Sequence, residues 1–171
     1  GLTKSNTIAD YEGLARFQSI QNNFSLLNRR FQDELANICR RENVSLLPYS
    51  PIGGGVLSGK YNDDQIPDNA RFSGYLTADD PRQRAMAERF VNAGTLASSA
   101  RYMEIAAEAG ISPVTLATAW SMQFDYVAST IIGARSAAQL DDSLAALNVI
   151  LSNDTLKQCD AVHQEYLYPM G

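Results

Sequence analysis

Between residues 53 and 61 the chain reads Gly-Gly-Gly-Val-Leu-Ser-Gly-Lys-Tyr, the stretch whose residue types and spacing come nearest to chemistry. Residues without a Cβ let backbone approach another molecule and expose amide N–H groups, and Lys60 adds a cation at the end of the run. An anion suits such a surface, and a diphosphate is the natural one. Gly54 to Lys60 also fits the G-x-x-x-x-G-K spacing of a nucleotide triphosphatase loop. That motif needs the next residue to offer a hydroxyl to magnesium and to open a helix facing the phosphates. Here the next residue is Tyr61, followed by Asn62-Asp63-Asp64-Gln65-Ile66-Pro67, which reads as a loop. The P-loop triphosphatase is therefore the remote alternative.

Few other residues invite a role. His163, the single histidine, falls in Val162-His163-Gln164-Glu165-Tyr166 and reads as a surface or packing residue. Cys39 and Cys159 lie in amphipathic patterns with no CxxC or Cys/His spacing, so neither a disulfide framework nor a metal site is expected. Arg29-Arg30 and Arg40-Arg41 sit among Asp33, Glu34 and Glu42 and read as solvated helix flanks.

The elements that must position the glycine run follow from apolar patterning. Phe17 to Ile20, Val44 to Tyr49 and Tyr126 to Ile132 are short apolar runs that read as buried strands. Helical segments between them predict repeated β-α units and a parallel sheet. After Asn28, Phe31, Leu35, Ile38 and Cys39 form one stripe of a surface helix. Asp80-Pro81 with Gln83 predicts a capped start with a capping box, and the helical pattern runs on, with an interruption near Gly94, to Gly110. Ser112-Pro113 opens another helix through Leu116, Ala119 and Trp120. Ser136 and Gln139 form a second capping-box pattern, and Leu140, Leu144 and Leu147 give the stripe of the helix behind it. A last helix opens near Asn153 or Asp154 and carries Leu156, Cys159, Val162 and Tyr166. The long irregular segment, roughly Ile52 to Asp79, is of a length that usually serves function.

With 171 residues, 45% of them apolar and 19% charged, the chain has the composition of one ordinary globular domain. A net charge of −5 argues against nucleic acid as a partner, because neutralising phosphates needs a dominant basic face. No apolar run approaches the roughly 18 residues of a membrane span, so no membrane role is expected, and Gly1 to Asp10 lack the apolar core of a signal peptide. The cytoplasm is the expected compartment, with a removed organellar peptide left open.

Three phrases carry a resemblance: Gln21-Asn22-Asn23-Phe24-Ser25-Leu26-Leu27-Asn28-Arg29, Pro48-Tyr49-Ser50-Pro51-Ile52-Gly53 continuing to Tyr61, and Ala128-Ser129-Thr130-Ile131-Ile132-Gly133-Ala134. In order and spacing they resemble the aldo-keto reductases, in particular the Tas-like branch and the related potassium-channel β subunits. That resemblance implies an eight-stranded β/α barrel, which takes about 250 residues or more. This chain is shorter, so the expectation is an α/β fold comprising the C-terminal half of a (β/α)8 TIM barrel, strands 6 to 8 with their helices. Residues 1–171 would then be a partial domain truncated at its N-terminus, with Thr3 to Gly13 resembling the end of the fifth helix. Ser5-Asn6 resembles a serine-asparagine pair that binds the nicotinamide amide, although only about a dozen residues separate it from Gln21, too few for the intervening helix.

The resemblance also assigns a site for NADP(H). Gln21, at a strand end, resembles the glutamine that hydrogen-bonds the nicotinamide carboxamide, and Tyr49 the aromatic that stacks under that ring. Ser50, Pro51, Ile52 and Gly53 resemble the loop over the pyrophosphate, with Lys60 and Arg71 as its basic contributors. Gly133-Ala134-Arg135 resembles the turn receiving the adenosine 2′-phosphate, where Arg135 offers a planar fork. Gln139 and Asp142 resemble contacts to adenine or its ribose, and Ser143 stands where the family commonly has asparagine. The family's catalytic aspartate, tyrosine, lysine and histidine lie on earlier strands, so no catalytic residue is expected here.

The implied function is NADPH-dependent reduction of an aldehyde or ketone, with this chain as the cofactor-binding half and a carbonyl compound as substrate. Three parallel strands leave two open edges, so the N-terminal half-barrel is expected as a partner in cis or in trans. The alternative is a non-catalytic half-barrel subunit or interaction module.

Overall fold

The structure, a computed structural model, describes residues 1–62 and 67–170; most of the loop read from Asn62 to Pro67, residues 63–66, lies outside the described residues. The first helix, α1 (Leu2–Glu12), ends on Gly13 in the left-handed conformation, φ 67°. Ser5 and Asn6 therefore sit in a helix and not at a strand end. Asn6 is buried, and its Oδ1 accepts the Phe17 N–H at 3.0 Å, fixing the turn of the chain into the sheet.

Strand β1 (Ser19–Asn23) pairs in parallel with β2 (Ser45–Tyr49), Ser19 opposite Ser45 and Asn23 opposite Tyr49. β1 begins later than the apolar run from Phe17, which is itself exposed. The third expected strand lies where a parallel sheet requires, beside β2, but as two isolated bridges, Leu46 to Val127 and Tyr49 to Ile131. The interval 46–49 on one side faces 127–131 on the other, so the second segment carries one extra residue, as a bulge does. Pro48 sits inside that interval and has no N–H to donate; only its carbonyl joins, accepting from the Ile131 N–H at 2.7 Å. A proline and a bulge in one short interval interrupt the ladder.

The pleat sorts the residues of β2. Leu46 and Pro48 are buried, whereas Tyr49 is exposed and Ser45 and Leu47 are half-buried. Residues in register on parallel strands share a face. Gln21, Asn23, Leu47, Tyr49 and Ile131 therefore occupy the more open face of the sheet.

The helix expected after Asn28 is split into a 3-10 turn, Arg30–Gln32, and α2 (Leu35–Glu42). The long segment read as irregular carries a 3-10 stretch over the glycine run, Gly53–Ser58, and one α-helical turn, α3 (Ser73–Leu76). In α4 (Pro81–Glu88), Asp80 caps by accepting from the Arg82 N–H at 2.9 Å, while Gln83 bonds only to the Asp80 carbonyl, so the box expected there does not form. The expected interruption near Gly94 is there, between α4 and α5 (Ala93–Glu108), and it ends at Asn92, which makes a reciprocal capping box with Thr95. Ser112 caps α6 (Pro113–Met122). Before α7 (Ala138–Ala145), Gln139 accepts from the Arg135 N–H and Ser136 does not cap. No residue of α7 is buried, and Leu144 and Leu147 are exposed, so the expected stripe packs little. Ser152 caps α8 (Asn153–Glu165), which buries Cys159 and Val162. No helix among the described residues is long and apolar enough to cross a membrane.

The core centres on an aromatic cluster beyond the end of β1. Phe24 lies 4.9 Å from Trp120 and 5.2 Å from Phe124 between ring centroids, with Phe31 and Tyr126 completing the group. Cys39 and Cys159 are buried, and burial pushes the Cys159 thiol up to about 12, so it stays protonated and inert.

His163 is held below its ordinary value, first by burial and then by the Arg29 charge, with Asp160 and Asp33 opposing. Its Nδ1 is buried without a partner among the described residues. The unfolded chain then takes up a proton at about pH 6.5, before the folded chain does. Stability should therefore fall as the pH drops below about 6.5 and level off once folded His163 is also protonated. Denaturant unfolding at a series of pH values should show a shallower acid-side loss for His163→Gln than for the parent; identical slopes would mean that His163 titrates as it does when unfolded.

Candidate functional site

The open face of the sheet ends in three neighbouring positions, Asn23, Tyr49 and Ile131, with Tyr49 in the middle. The Tyr49 ring is 40% exposed, so it is a platform and not part of the core. Gln21 is opposite Leu47, in the middle of β1 and exposed. The expected strand-end position is thus corrected by two residues. Gln21 and Tyr49 still share a face, about 7 Å apart along the strand direction and one strand spacing apart across it. That separation lets an amide reach the edge of a ring stacked on the tyrosine.

Chain direction changes immediately after Tyr49. Ser50 adopts a left-handed conformation, φ 57°, followed by buried Pro51. Three turn bonds then coil the loop: Gly53 N–H to Ser50, and Gly55 and Leu57 N–H to the Ile52 carbonyl. Gly53, φ 57°, is held against Leu27, whose Cδ1 lies 2.7 Å from where a Cβ would stand. Lys60 folds back across Gly55, φ 100°, with Nζ 2.9 Å from the corresponding point. Any side chain at these positions would strain the turn and push out its neighbours. After Lys60 the chain continues as a turn, and Tyr61 is buried with its Oη accepting the Phe72 N–H at 3.1 Å. Among the described residues no helix opens directly after Lys60, so the G-x-x-x-x-G-K spacing is without the helix that follows it in a triphosphatase loop.

Three cations border this loop. Arg135 donates through its guanidinium to the Asn69 carbonyl, which carries the 133–135 turn across to the segment holding Arg71. Lys60 is held below the ordinary lysine value, first by its burial and then by the Arg135 charge. Arg71 is exposed, its guanidinium 5.3 Å over the Phe72 ring. Among the described residues none of the three is paired with a carboxylate. Unpaired like charges gathered on a glycine-rich turn form a surface that gains by taking up an anion.

The remaining expected residues are placed less directly. Gly133 is exposed, and Gln139 stiffens the same turn by accepting the Arg135 N–H at 2.9 Å. The Asp142 side chain is exposed while its carbonyl accepts from the Thr115 hydroxyl at 2.8 Å. Ser143 faces a cavity of about 270 Å³ between α6 and the 127–132 segment, lined also by Thr118, Val127, Ile132 and Leu144. The structure thus brings together Tyr49, Ser50 to Gly53, Lys60, Arg71, Arg135 and Gln139, with Gln21 on the same sheet face. It ties neither Asp142 nor Ser143 to the cations.

Two contributors were not visible in the sequence. Asn69 acts through its carbonyl, which no residue type announces. Asn23, beside Tyr49, has a buried Oδ1 without a partner among the described residues, and its place next to Gln21-Asn22 was the available signal.

The model of the aldo/keto reductase family matches residues 3–164. The chain belongs to that family. Within it, the protein tas of Escherichia coli is 37% identical over 172 residues, covering 99% of this chain and 46% of that protein. A rice protein named "Probable voltage-gated potassium channel subunit beta" is 30% identical over 147 residues, covering 84% of this chain and 43% of its own length. The NADH-specific methylglyoxal reductase of Escherichia coli is 26% identical over 146 residues, 85% of this chain and 42% of that enzyme. The chain spans less than half the length of these relatives. An α/β arrangement with a parallel strand pair and flanking helices agrees with an aldo/keto reductase domain.

Proposed function

We propose that this chain is the cofactor-side half of a (β/α)8 carbonyl reductase that uses NADPH. One observation carries the reading: the strand ends meet at an exposed tyrosine beside a glycine-rich turn bordered by Lys60, Arg71 and Arg135. The parts fit an extended anionic dinucleotide. Tyr49 offers a flat apolar surface for the nicotinamide, and the Gln21 amide lies on the same face for its carboxamide. The turn from Ser50 to Gly53 and the Lys60 ammonium cover the diphosphate, and Arg71 adds charge at its edge. Arg135 is placed to grip a 2′-phosphate through two N–H groups, the feature that favours NADPH over NADH. Gln139 orients the turn that carries it.

When bound, the nicotinamide supplies the hydride that reduces an aldehyde or ketone. This chain's residues bind and orient; the proton donor and the rest of the carbonyl pocket belong, on this reading, to a second half-barrel in cis or in trans. The open sheet face and the exposed Leu144 and Leu147 agree with a fold completed by such a partner. A calorimetric titration tests the reading. NADPH should bind in the presence of a metal chelator, and ATP should bind no better when magnesium is added. Magnesium-dependent ATP binding without NADPH binding would overturn it.

A further inference from the structure

We infer that the stretch after α8, Tyr166 to Met170, is a strap that positions the glycine loop, with Tyr168, Arg30 and Asn92 as its positioning residues. The functional half of this inference rests on the loop being a dinucleotide cover. The mechanical half stands on contacts alone.

The segment after α8 is neither helix nor strand and has no ladder of its own to hold it. It is tied at Tyr168, Pro169 and Met170. Tyr168 donates from Oη to Asp33 Oδ2 at 2.6 Å. Arg30 stacks 4.8 Å over the Tyr168 ring and donates to the Met170 carbonyl at 3.1 Å. Asn92 donates from Nδ2 to the Pro169 carbonyl at 3.2 Å. Met170 is buried, and Tyr168 takes the left-handed conformation, φ 52°, that L residues avoid unless their surroundings hold them there.

The anchors belong to the two walls of the glycine loop. Arg30 and Asp33 continue the segment whose Leu27 packs against Gly53. Asn92 caps α5, which forms the opposite wall: Ser99 donates to the Val56 carbonyl at 3.0 Å, and the Leu96 carbonyl accepts from Asn62 Nδ2 at 2.8 Å. A buried cross-tie, Tyr102 Oη to the Leu26 carbonyl at 3.2 Å, already joins the walls deeper down. The strap supplies a second tie, and two ties fix the relative orientation of the walls where one leaves a hinge. Tyr168, Arg30 and Asn92 are thus placed to set the geometry of the turn through its walls.

The test compares Tyr168→Phe, which removes only the hydroxyl, and Arg30→Ala with the parent 171-residue chain. Val44→Ala serves as a control that trims the core at the start of β2, away from the strap. Hydrogen exchange of the amides from Gly53 to Gly59 should speed about tenfold in the strap variants, the equivalent of one lost charge-assisted hydrogen bond, and NADPH affinity should fall by a similar factor. Val44→Ala should lower the melting temperature without either local effect. Unchanged exchange at 53–59 in both strap variants would overturn the inference. If the parent fails to bind NADPH, the cofactor reading falls separately, and the exchange data still decide whether the strap holds the loop.

Discussion

Alanine in place of Phe24 is expected to remove about 3–5 kcal/mol of unfolding free energy. The ring is fully buried and meets four other aromatic rings, with Trp120 nearest at 4.9 Å between centroids. Those partners come from the 3-10 turn after β1, the last full turn of α6, and the approach to the 127–131 segment, so the cavity would open where three pieces of chain converge. Rigid aromatic neighbours collapse poorly into such a space, which places the cost toward the upper part of the range. A domain with about 5–15 kcal/mol in total would lose a large share of its stability. The site would suffer as well, because the segment bridging to Tyr49 is positioned through Phe124 and Tyr126. Urea unfolding followed through Trp120 fluorescence measures this directly. Phe24→Leu should lose much less, about 1.5 kcal/mol or below, because most of the volume is kept. A loss of less than about 1 kcal/mol for Phe24→Ala would mean that the cluster repacks and that β1 is anchored elsewhere.

How much of this could be read from the sequence varies with the kind of signal. Helix starts that depend on one side chain and its own backbone were legible: Asp80-Pro81, Ser112-Pro113 and the beginning of α8 fall where the pattern puts them. Capping boxes were not, because a box needs two residues to choose each other. Gln83 does not reach back, Gln139 serves Arg135 in place of Ser136, and the box Asn92 with Thr95 brackets the glycine that suggested a break without itself being announced by the pattern. Strand adjacency followed from β-α alternation, yet Pro48 and one extra residue in the facing segment erased most of the third strand's ladder. The open sheet face follows from the same limit: a period-2 pattern reports which residues alternate, not what covers them. At the candidate site, Tyr49, Lys60 and Arg135 could be proposed because their side-chain types suit the proposed ligand. Asn69 was invisible because its contribution is a carbonyl oxygen, which every residue owns.

Arg135→Ala should weaken NADPH about ten- to a hundredfold while changing NADH little, the equivalent of about 1.5–3 kcal/mol for a charge-assisted contact. The asymmetry is the informative part. Arg135 is exposed and uses one donor on the Asn69 carbonyl, leaving other guanidinium N–H groups for two phosphate oxygens. NADH has no phosphate at that position and offers those groups nothing. Arg135 also depresses Lys60 by like-charge repulsion, so its removal should relax Lys60 slightly and leave in place the diphosphate contact proposed for both cofactors. Arg135→Lys should fall between parent and alanine, since it restores charge without the planar fork. Paired titrations with the two cofactors separate this role from a structural one. If the bond to Asn69 merely braced the loop, both cofactors would lose affinity alike, because a loosened turn withdraws the diphosphate cover that they share. Equal losses would therefore move Arg135 from phosphate recognition to loop support and remove the ground for proposing NADPH over NADH.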